Sequence, residues 1–206
     1  MLAMDTEFSQ FREGDLLSIG LVGVGATEAP LQPGCLPGQA LEEGDAFYGE
    51  VHDPDLWQRS SDFCRQVVLP QFGHVPGAAF ASGRELGSRL GDWLLKRNRP
   101  LVICYDYKLD WRFLERVLVA AGRWDALKPR LMALDIADSA ASDACRQAAT
   151  DLFQSFVTGP LHQHHALVDA MALAAQWRQV PESTRASRVA RFVPSQDGEE
   201  TRLGRR

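Results

Sequence analysis

Apolar residues recur along the chain with spacings that alternate between those of strands and those of helices. Continuous or alternating apolar runs predict five strands, because strand side chains alternate between two faces. The predicted strands are Leu2 to Phe8, Leu16 to Val22, Ala46 to Val51, Leu101 to Tyr105 and Leu131 to Leu134. The short link over residues 9–15 contains Gly14, which favours a hairpin between the first two strands.

Apolar residues at every third or fourth position predict helices after the opening strands. Leu86, Leu90 and Leu94 share one helical face. Ser82, with Glu85 three residues later, gives the capping-box pattern at the start of that helix. The other predicted helices are Asp62 to Leu69, Leu109 to Ala121, Ser142 to Phe156 and Ala166 to Val180.

The order of these elements is three strands, then helix, strand, helix, strand and two helices. This order predicts an α/β fold in which an antiparallel meander continues into parallel strands, giving a mixed sheet of about five strands with helices on both faces. Prolines and glycines predict a loop over residues 26–44. Residues 1–180 are expected to form one domain, and the polar, arginine-bearing segment 181–206 a partly disordered tail.

Composition limits the class of protein. Lys and Arg total 22 and Asp and Glu 27, and the net charge of −5 argues against a protein that coats nucleic acid by bulk electrostatics. No segment has the roughly 20 apolar residues of a membrane helix, and the few residues before Asp5 leave no room for a signal peptide. The cysteines lack zinc-site spacing, so we expect a cytoplasmic protein with reduced thiols and no membrane partner.

Several acidic residues occupy positions where a carboxylate is costly. Asp5 and Glu7 are two apart on a predicted strand, so both point to one face, and burying them is unfavourable unless they are paired. A solvated edge strand would also explain them. Asp169 falls within the apolar stripe of a helix, where the helix dipole near the first turn is the alternative explanation.

Asp110 opens the helix after strand 101–105, at the carboxyl end of a strand where α/β sheets bind ligands. Helix capping would also explain it, and Asp106 competes for the same role. If these four carboxylates met at about 5 Å, each pair would repel by about 3 kcal/mol at an effective dielectric of about 20. Such a cluster needs divalent metal, and all-oxygen ligands favour Mg²⁺ or Mn²⁺ over zinc.

The acids belong to three motifs that resemble, in order and spacing, those of the DEDDh (DnaQ-like) 3′–5′ exonucleases of the ribonuclease H-like superfamily. The motifs are DTEF at residues 5–8 with LSIG at 17–20, LDWRFL at 109–114, and HHALVDA at 164–170. The resemblance covers about residues 1–180 and is greatest to the compact bacterial 3′–5′ exoribonucleases. Where members often carry His-Asn before the second motif, this chain has Tyr105 and Asp106.

The resemblance implies a ribonuclease H-like sheet and a two-metal-ion reaction that releases nucleoside 5′-monophosphates. His164 would act as general base, because the spacing of the third motif selects it over His162 and His165. The ligands of two Mg²⁺ or Mn²⁺ ions would be Asp5, Glu7, Asp110 and Asp169.

The implied partner is a single-stranded RNA or DNA 3′ end, with RNA favoured. Thr6, Phe8 and Trp111 neighbour the metal-site residues and would contact this substrate, the two aromatic rings by stacking, although core packing would also explain the rings. The alternatives are a DNA-directed proofreading or trimming exonuclease and a non-catalytic nucleic-acid-binding module on the same fold. The resemblance also leaves room for a homodimer.

Overall fold

One mixed sheet of six strands organises the protein. The computed structural model describes residues 1–10, 14–25, 46–97 and 99–192. The strands are β1 (Leu2–Phe8), β2 (Leu16–Gly23), β3 (Ala46–Val51), β4 (Ala79–Phe80), β5 (Leu101–Tyr105) and β6 (Leu131–Asp135). Their order across the sheet is β4-β3-β2-β1-β5-β6, so β1 lies in the interior of the sheet and not at its edge.

Helices connect and cover the strands. The helices are α1 (Pro54–Arg59), α2 (Gly83–Leu95), α3 (Lys108–Ala120), α4 (Trp124–Leu127), α5 (Asp143–Phe156), α6 (Ala166–Gln179) and α7 (Glu182–Ala190). A π-helical segment covers Cys64–Val68, and 3₁₀ turns cover Leu69–Gln71, Lys128–Arg130 and Ser139–Ala141.

Strand directions follow the predicted meander and parallel continuation. β1 pairs antiparallel with β2, which pairs antiparallel with β3. On its other side β1 pairs parallel with β5, and β5 pairs parallel with β6. The five predicted strands are therefore present, and the structure adds β4, which pairs parallel with the end of β3. A strand of two residues has no periodicity, so the hydrophobic pattern could not reveal it.

Alternate residues of β1 face different layers, because the side-chain period of a strand is two. Leu2 and Met4 belong to the core formed with α2 and α3, whereas Ala3 belongs to the core formed with α6. Helices therefore cover both faces, as the element order predicts. By the same alternation Asp5 and Glu7 point toward the α6 face, and the intervening Thr6 points toward α3.

Helix α6 packs on β1 and β2 with its first turn very close to the sheet. A Cβ atom on Gly20 would lie 2.4 Å from the carbonyl oxygen of Ala166 and 2.6 Å from Cα of Leu167, so the approach requires glycine. Gly20 is also the residue of β2 that pairs with Asp5 of β1. The helix that carries Asp169 is thereby brought directly over the strand position of Asp5.

The segment between β3 and β4 differs in detail from the sequence prediction. Helix α1 was not evident from its apolar residues, but Asp53 caps it by accepting hydrogen bonds from the backbone N–H groups of Asp55 and Leu56. The helix predicted over residues 62–69 is present as wider π-helical turns that end in a 3₁₀ turn at Gln71.

The segment predicted as a tail begins with a helix. Val189 and Phe192, at and beyond the end of α7, pack partly buried against the core beneath α6. Arg188 Nη1 also donates a hydrogen bond of 2.8 Å to the carbonyl oxygen of Asp135. Helix α7 is mostly polar and exposed, which is why its apolar pattern is weak. The rest of the predicted tail, residues 193–206, and the predicted loop over residues 26–44 lie outside the described residues.

Three of the four cysteines lie in the described part of the chain. Cys64, Cys104 and Cys145 are free thiols, and Cys35 lies outside the described residues. Within the described ranges, no helix is long and apolar enough to cross a membrane.

Candidate metal centre

Acidic side chains from separate elements meet at the carboxyl end of β1. One carboxylate oxygen each from Asp5, Asp106 and Asp110 lie within 4.8 Å of one another. Asp5 comes from the central strand, Asp106 from the turn after β5, and Asp110 from the first turn of α3. Asp106, which the sequence offered as a competitor of Asp110, therefore lies beside it.

A second group adjoins the first on the α6 side. Ligand atoms of Glu7, His164 and Asp169 also lie within 4.8 Å of one another. Asp5 connects the two groups, because Asp110, Asp169 and Glu7 all act on its carboxylate through their charges. The four carboxylates and the histidine selected by the motif spacing are thus brought together from distant parts of the chain.

Hydrogen bonds orient two of these carboxylates. Thr6 Oγ1 donates to Asp110 Oδ1 over 2.7 Å, with both residues buried. The backbone N–H of His164 donates to Asp169 Oδ2 over 3.0 Å. Each carboxylate has one oxygen held by the protein, which leaves its other oxygen in a defined direction.

Three buried carboxylate oxygens lack a hydrogen-bond partner among the described residues. They are Asp5 Oδ2, Asp110 Oδ2 and Asp169 Oδ1. A buried polar atom without a partner is costly, and a buried charge more so, which makes this arrangement unfavourable unless a cation completes it. Oxygen ligands are the set that Mg²⁺ and Mn²⁺ prefer, so the residues present fit a divalent metal centre.

Burial raises the pKa of each carboxyl group in this cluster. The pKa of Glu7 rises to about 8, and those of Asp110 and Asp169 to about 7 each. The pKa of Asp5 rises well above its ordinary value, first because it is desolvated and then because Asp110, Asp169 and Glu7 repel its charge. The hydrogen bond from Thr6 partly offsets the rise in the pKa of Asp110. The metal-free cluster therefore retains protons near neutral pH, which a bound cation would displace.

His164 has an uncommon backbone conformation, with a φ of 67°. Its ring packs edge-on against Phe63 with ring centroids 5.0 Å apart. Burial, with a smaller contribution from the charge of His162, lowers the pKa of His164 below its ordinary value. The imidazole is therefore neutral at physiological pH and able to accept a proton.

The two neighbouring histidines are placed differently. His165 is buried, with its ring 4.4 Å from that of Tyr48. His162 is exposed, and its Nδ1 contacts the carbonyl oxygen of Gln163 at 2.7 Å. Of the three histidines, His164 is the one that the structure groups with carboxylates.

Two cavities flank the carboxylates, and both are lined in part by Asp5 and Asp169. The larger, of about 310 Å³, includes Phe8, Phe63 and Tyr107 in its wall. The smaller, of about 200 Å³, is lined on its other sides by both polar and apolar residues. Those residues include Asp106, Phe153, Gln163 and Gln176.

The predicted substrate-contact residues have different positions. Phe8 lines the larger cavity and also stacks on Phe113 at 5.1 Å, so it serves both the cavity and the core. Thr6 lines the same cavity, but its hydroxyl is engaged by Asp110. Trp111 packs instead against Tyr105 and Trp124, away from the cavity wall, because successive helical residues point about 100° apart.

Two exposed aromatic residues of the larger cavity were not identified from the sequence. Phe63 is 43% exposed and Tyr107 46% exposed, and both rings form part of the cavity wall. Tyr107 directly precedes α3, so its closeness to the second motif was an available signal. Phe63 is far from every motif in sequence and had no such signal.

Comparison of the chain with protein-family models, with curated proteins and with solved structures finds no match. The function is therefore inferred from the geometry and chemistry of the centre itself.

Proposed function

We propose that this protein is a metal-dependent 3′–5′ exonuclease of the DEDDh type on a ribonuclease H-like fold. It would release nucleoside 5′-monophosphates from single-stranded 3′ ends, with RNA favoured. The proposal depends on one observation, the convergence of four carboxylates and His164 from separate elements, with buried unpartnered oxygens on three of the carboxylates. The meander-then-parallel sheet, with Asp5 and Glu7 on an interior strand, supports the fold assignment.

The residues present have complementary roles in phosphodiester hydrolysis. Bound divalent cations supply an activated water molecule and neutralise the charge that develops on the phosphate. Thr6 holds Asp110, and the backbone of His164 holds Asp169, so that both carboxylates have fixed orientations. The neutral imidazole of His164 accepts the proton of the attacking water. The metal ligands in this proposal are Asp5, Glu7, Asp110 and Asp169.

The larger cavity suits the end of a single strand. Its volume of about 310 Å³ is that of a small-ligand site. Phe63 and Tyr107 expose aromatic surface beside the carboxylates, and aromatic rings bind unpaired bases by stacking with little regard to sequence. The preference for RNA rests on the motif resemblance, since contacts to the 2′-OH decide it.

The test is digestion of matched 5′-end-labelled RNA and DNA, single- and double-stranded, with Mn²⁺, Mg²⁺ or EDTA. We expect metal-dependent shortening from the 3′ end, release of nucleoside 5′-monophosphates, and faster digestion of single-stranded RNA. Asp5→Asn should be inactive. Asp135→Asn is the matched control, because Asp135 lies outside both acidic groups and its carboxylate accepts a hydrogen bond from the nearby backbone N–H of Ala137.

The same digestion separates the alternatives. Faster digestion of DNA would assign a proofreading or trimming exonuclease. Binding of single strands without metal-dependent turnover would assign a non-catalytic module. Full activity in Asp5→Asn would contradict the proposed centre.

A further inference from the structure

A buried amide lies beside the loop that carries His164. Gln71 is 1% exposed and occupies the last position of the 3₁₀ turn Leu69–Gln71. This turn ends the helical segment that contains Phe63, far in sequence from all the proposed metal ligands. A buried side chain that can both donate and accept hydrogen bonds needs partners for both functions.

The side chain of Gln71 forms hydrogen bonds with the backbone of three consecutive residues, 162–164, in the loop before α6. Its Oε1 accepts a hydrogen bond of 2.7 Å from the backbone N–H of His162. Its Nε2 lies 3.2 Å from the carbonyl oxygen of Gln163 and 3.2 Å from that of His164. A third contact, of 3.0 Å to the carbonyl oxygen of Val67, ties the amide to its own segment. One side chain thus binds the backbone of three consecutive residues shortly before α6.

These contacts bear directly on the conformation of His164. A φ of 67° is disfavoured for a residue with a Cβ atom and persists only where the surroundings hold it. The N–H of His164 is bound by Asp169 Oδ2, and its carbonyl oxygen by Gln71 Nε2. The Phe63 ring, from the same segment as Gln71, packs against the imidazole at 5.0 Å. Backbone and ring are therefore both fixed.

We propose that Gln71 is a positioning residue that holds His164 in the orientation required of a general base. The inference builds on the proposed function and adds a residue that lies outside all three motifs. An amide is suited to this task because it presents an acceptor to His162 and donors to two carbonyl oxygens. A carboxylate would retain the acceptor but would place an oxygen against those carbonyl groups.

The test compares Gln71→Met and Gln71→Glu with the wild-type protein. Methionine keeps the volume of glutamine without its hydrogen bonds, and glutamate keeps only the acceptor. Gln147→Met is the matched control, because Gln147 is exposed and donates to Asp151 within α5. Measurements are kcat and KM on a short single-stranded RNA, Mn²⁺ affinity by calorimetry, thermal unfolding, and amide hydrogen exchange at His162 and His164.

We expect both Gln71 variants to lose about 10²-fold in kcat, since a base displaced by about 1 Å loses about this much. Substrate KM and Mn²⁺ affinity should stay near wild type, because the carboxylates are untouched. Exchange at His162 and His164 should accelerate. Wild-type kcat in Gln71→Met would overturn the inference, and so would a kcat loss matched by an equal loss of Mn²⁺ affinity.

The exchange measurement separates this inference from the proposed function. If the wild-type protein has no nuclease activity, the proposed function fails. Faster exchange in Gln71→Met would then still show that Gln71 holds the loop, and unchanged exchange would overturn that role as well. If Gln71→Met unfolds, exchange at His164 in Gln71→Glu provides the comparison, because glutamate loses the donors to the loop but keeps the acceptor for His162.

Discussion

Individual residues at the candidate centre are arranged at the expense of stability. Asp5 has a buried oxygen without a partner in the described part of the chain, and its nearest charged neighbours are acids. His164 adopts a backbone conformation that residues other than glycine rarely adopt. Buried polar atoms without partners and strained backbone conformations are typical of sites that serve binding or reaction rather than stability.

Asp5→Asn should therefore change activity and stability in opposite directions. The substitution replaces a carboxyl group, whose ionised form is disfavoured by desolvation and by neighbouring acids, with a neutral amide. It removes no side-chain hydrogen bond of Asp5 found among the described residues. In EDTA at pH 8 we expect the unfolding midpoint to rise by about 2–4 °C, the shift that about 1 kcal/mol produces in a protein of this size. Nuclease activity should be lost. A lower midpoint in thermal melts would show that Asp5 stabilises the metal-free protein.

His164→Asn tests the general base while preserving the backbone. Asparagine tolerates positive φ better than alanine does, so the loop conformation is kept and only the imidazole is lost. We expect kcat to fall by about 10²–10⁴-fold with Mn²⁺ affinity retained. His162→Ala is the control, because its ring is exposed. Equal kcat in His164→Asn and wild type would exclude a histidine base at this position.

At the level of elements, the close contact of α6 with β2 sets the position of Asp169. Gly20→Ala would place a methyl group 2.4 Å from the carbonyl oxygen of Ala166, and both groups belong to regular elements that cannot shift alone. We expect a loss of about 1–3 kcal/mol in the free energy of unfolding, together with weaker Mn²⁺ binding. Denaturant unfolding and calorimetry measure the two effects.

Gly25→Ala is the matched control for this substitution. Apart from its chain neighbours, no described residue has an atom within 4 Å of a Cβ built on Gly25, so a methyl group there does not clash with the described structure. The control should bind Mn²⁺ as the wild-type protein does. If Gly20→Ala also binds Mn²⁺ normally, the spacing between α6 and β2 does not control the centre.

The elements also show which parts of the structure the sequence can predict. Apolar runs identify β1, β2, β3, β5 and β6, because each is long enough to express a buried pattern. Helix α1 depends on a cap and a proline rather than on an apolar face, and β4 is too short for any pattern. Both were found only in the structure.

The candidate centre likewise contains some residues that the sequence could predict and others that only the structure identifies. The four carboxylates and His164 could be predicted, because they belong to short sequence motifs with characteristic spacings. Gln71 could not be predicted, since its partner Gln163 lies 92 residues away and nothing near Gln71 marks the contact. Phe63 reaches His164 through the same fold-dependent contact. Residues that support a site through tertiary packing leave no local signal.

For the molecule as a whole, the raised pKa values of the acidic cluster make stability depend on pH. The folded-state pKa values of about 7 to about 8 exceed the unfolded values of about 4. Between about pH 4 and pH 8 the metal-free folded protein therefore binds more protons than the unfolded chain. The contribution of these groups to the free energy of unfolding is present at the lower pH and is lost as pH rises through this range.

Mn²⁺ should accordingly stabilise the protein at pH 8 and have little effect at pH 5, where protons occupy the carboxylates. Thermal melts at both pH values, with EDTA or Mn²⁺, measure this difference. In Asp5→Asn the Mn²⁺-induced shift at pH 8 should shrink. A shift that is equal at both pH values would place Mn²⁺ binding elsewhere on the molecule.

The distribution of the centre along the chain has a consequence for biosynthesis. Asp5 and Glu7 leave the ribosome first, Asp110 much later, and His164 and Asp169 only after most of the sheet has been made. Domains fold as units once enough of the chain has emerged. A nascent chain therefore carries two of the carboxylates but no complete centre, and it gains one only when α6 docks on the sheet. If the proposed function is right, nuclease activity would therefore be absent until residues 164–169 have emerged and α6 has docked on the sheet.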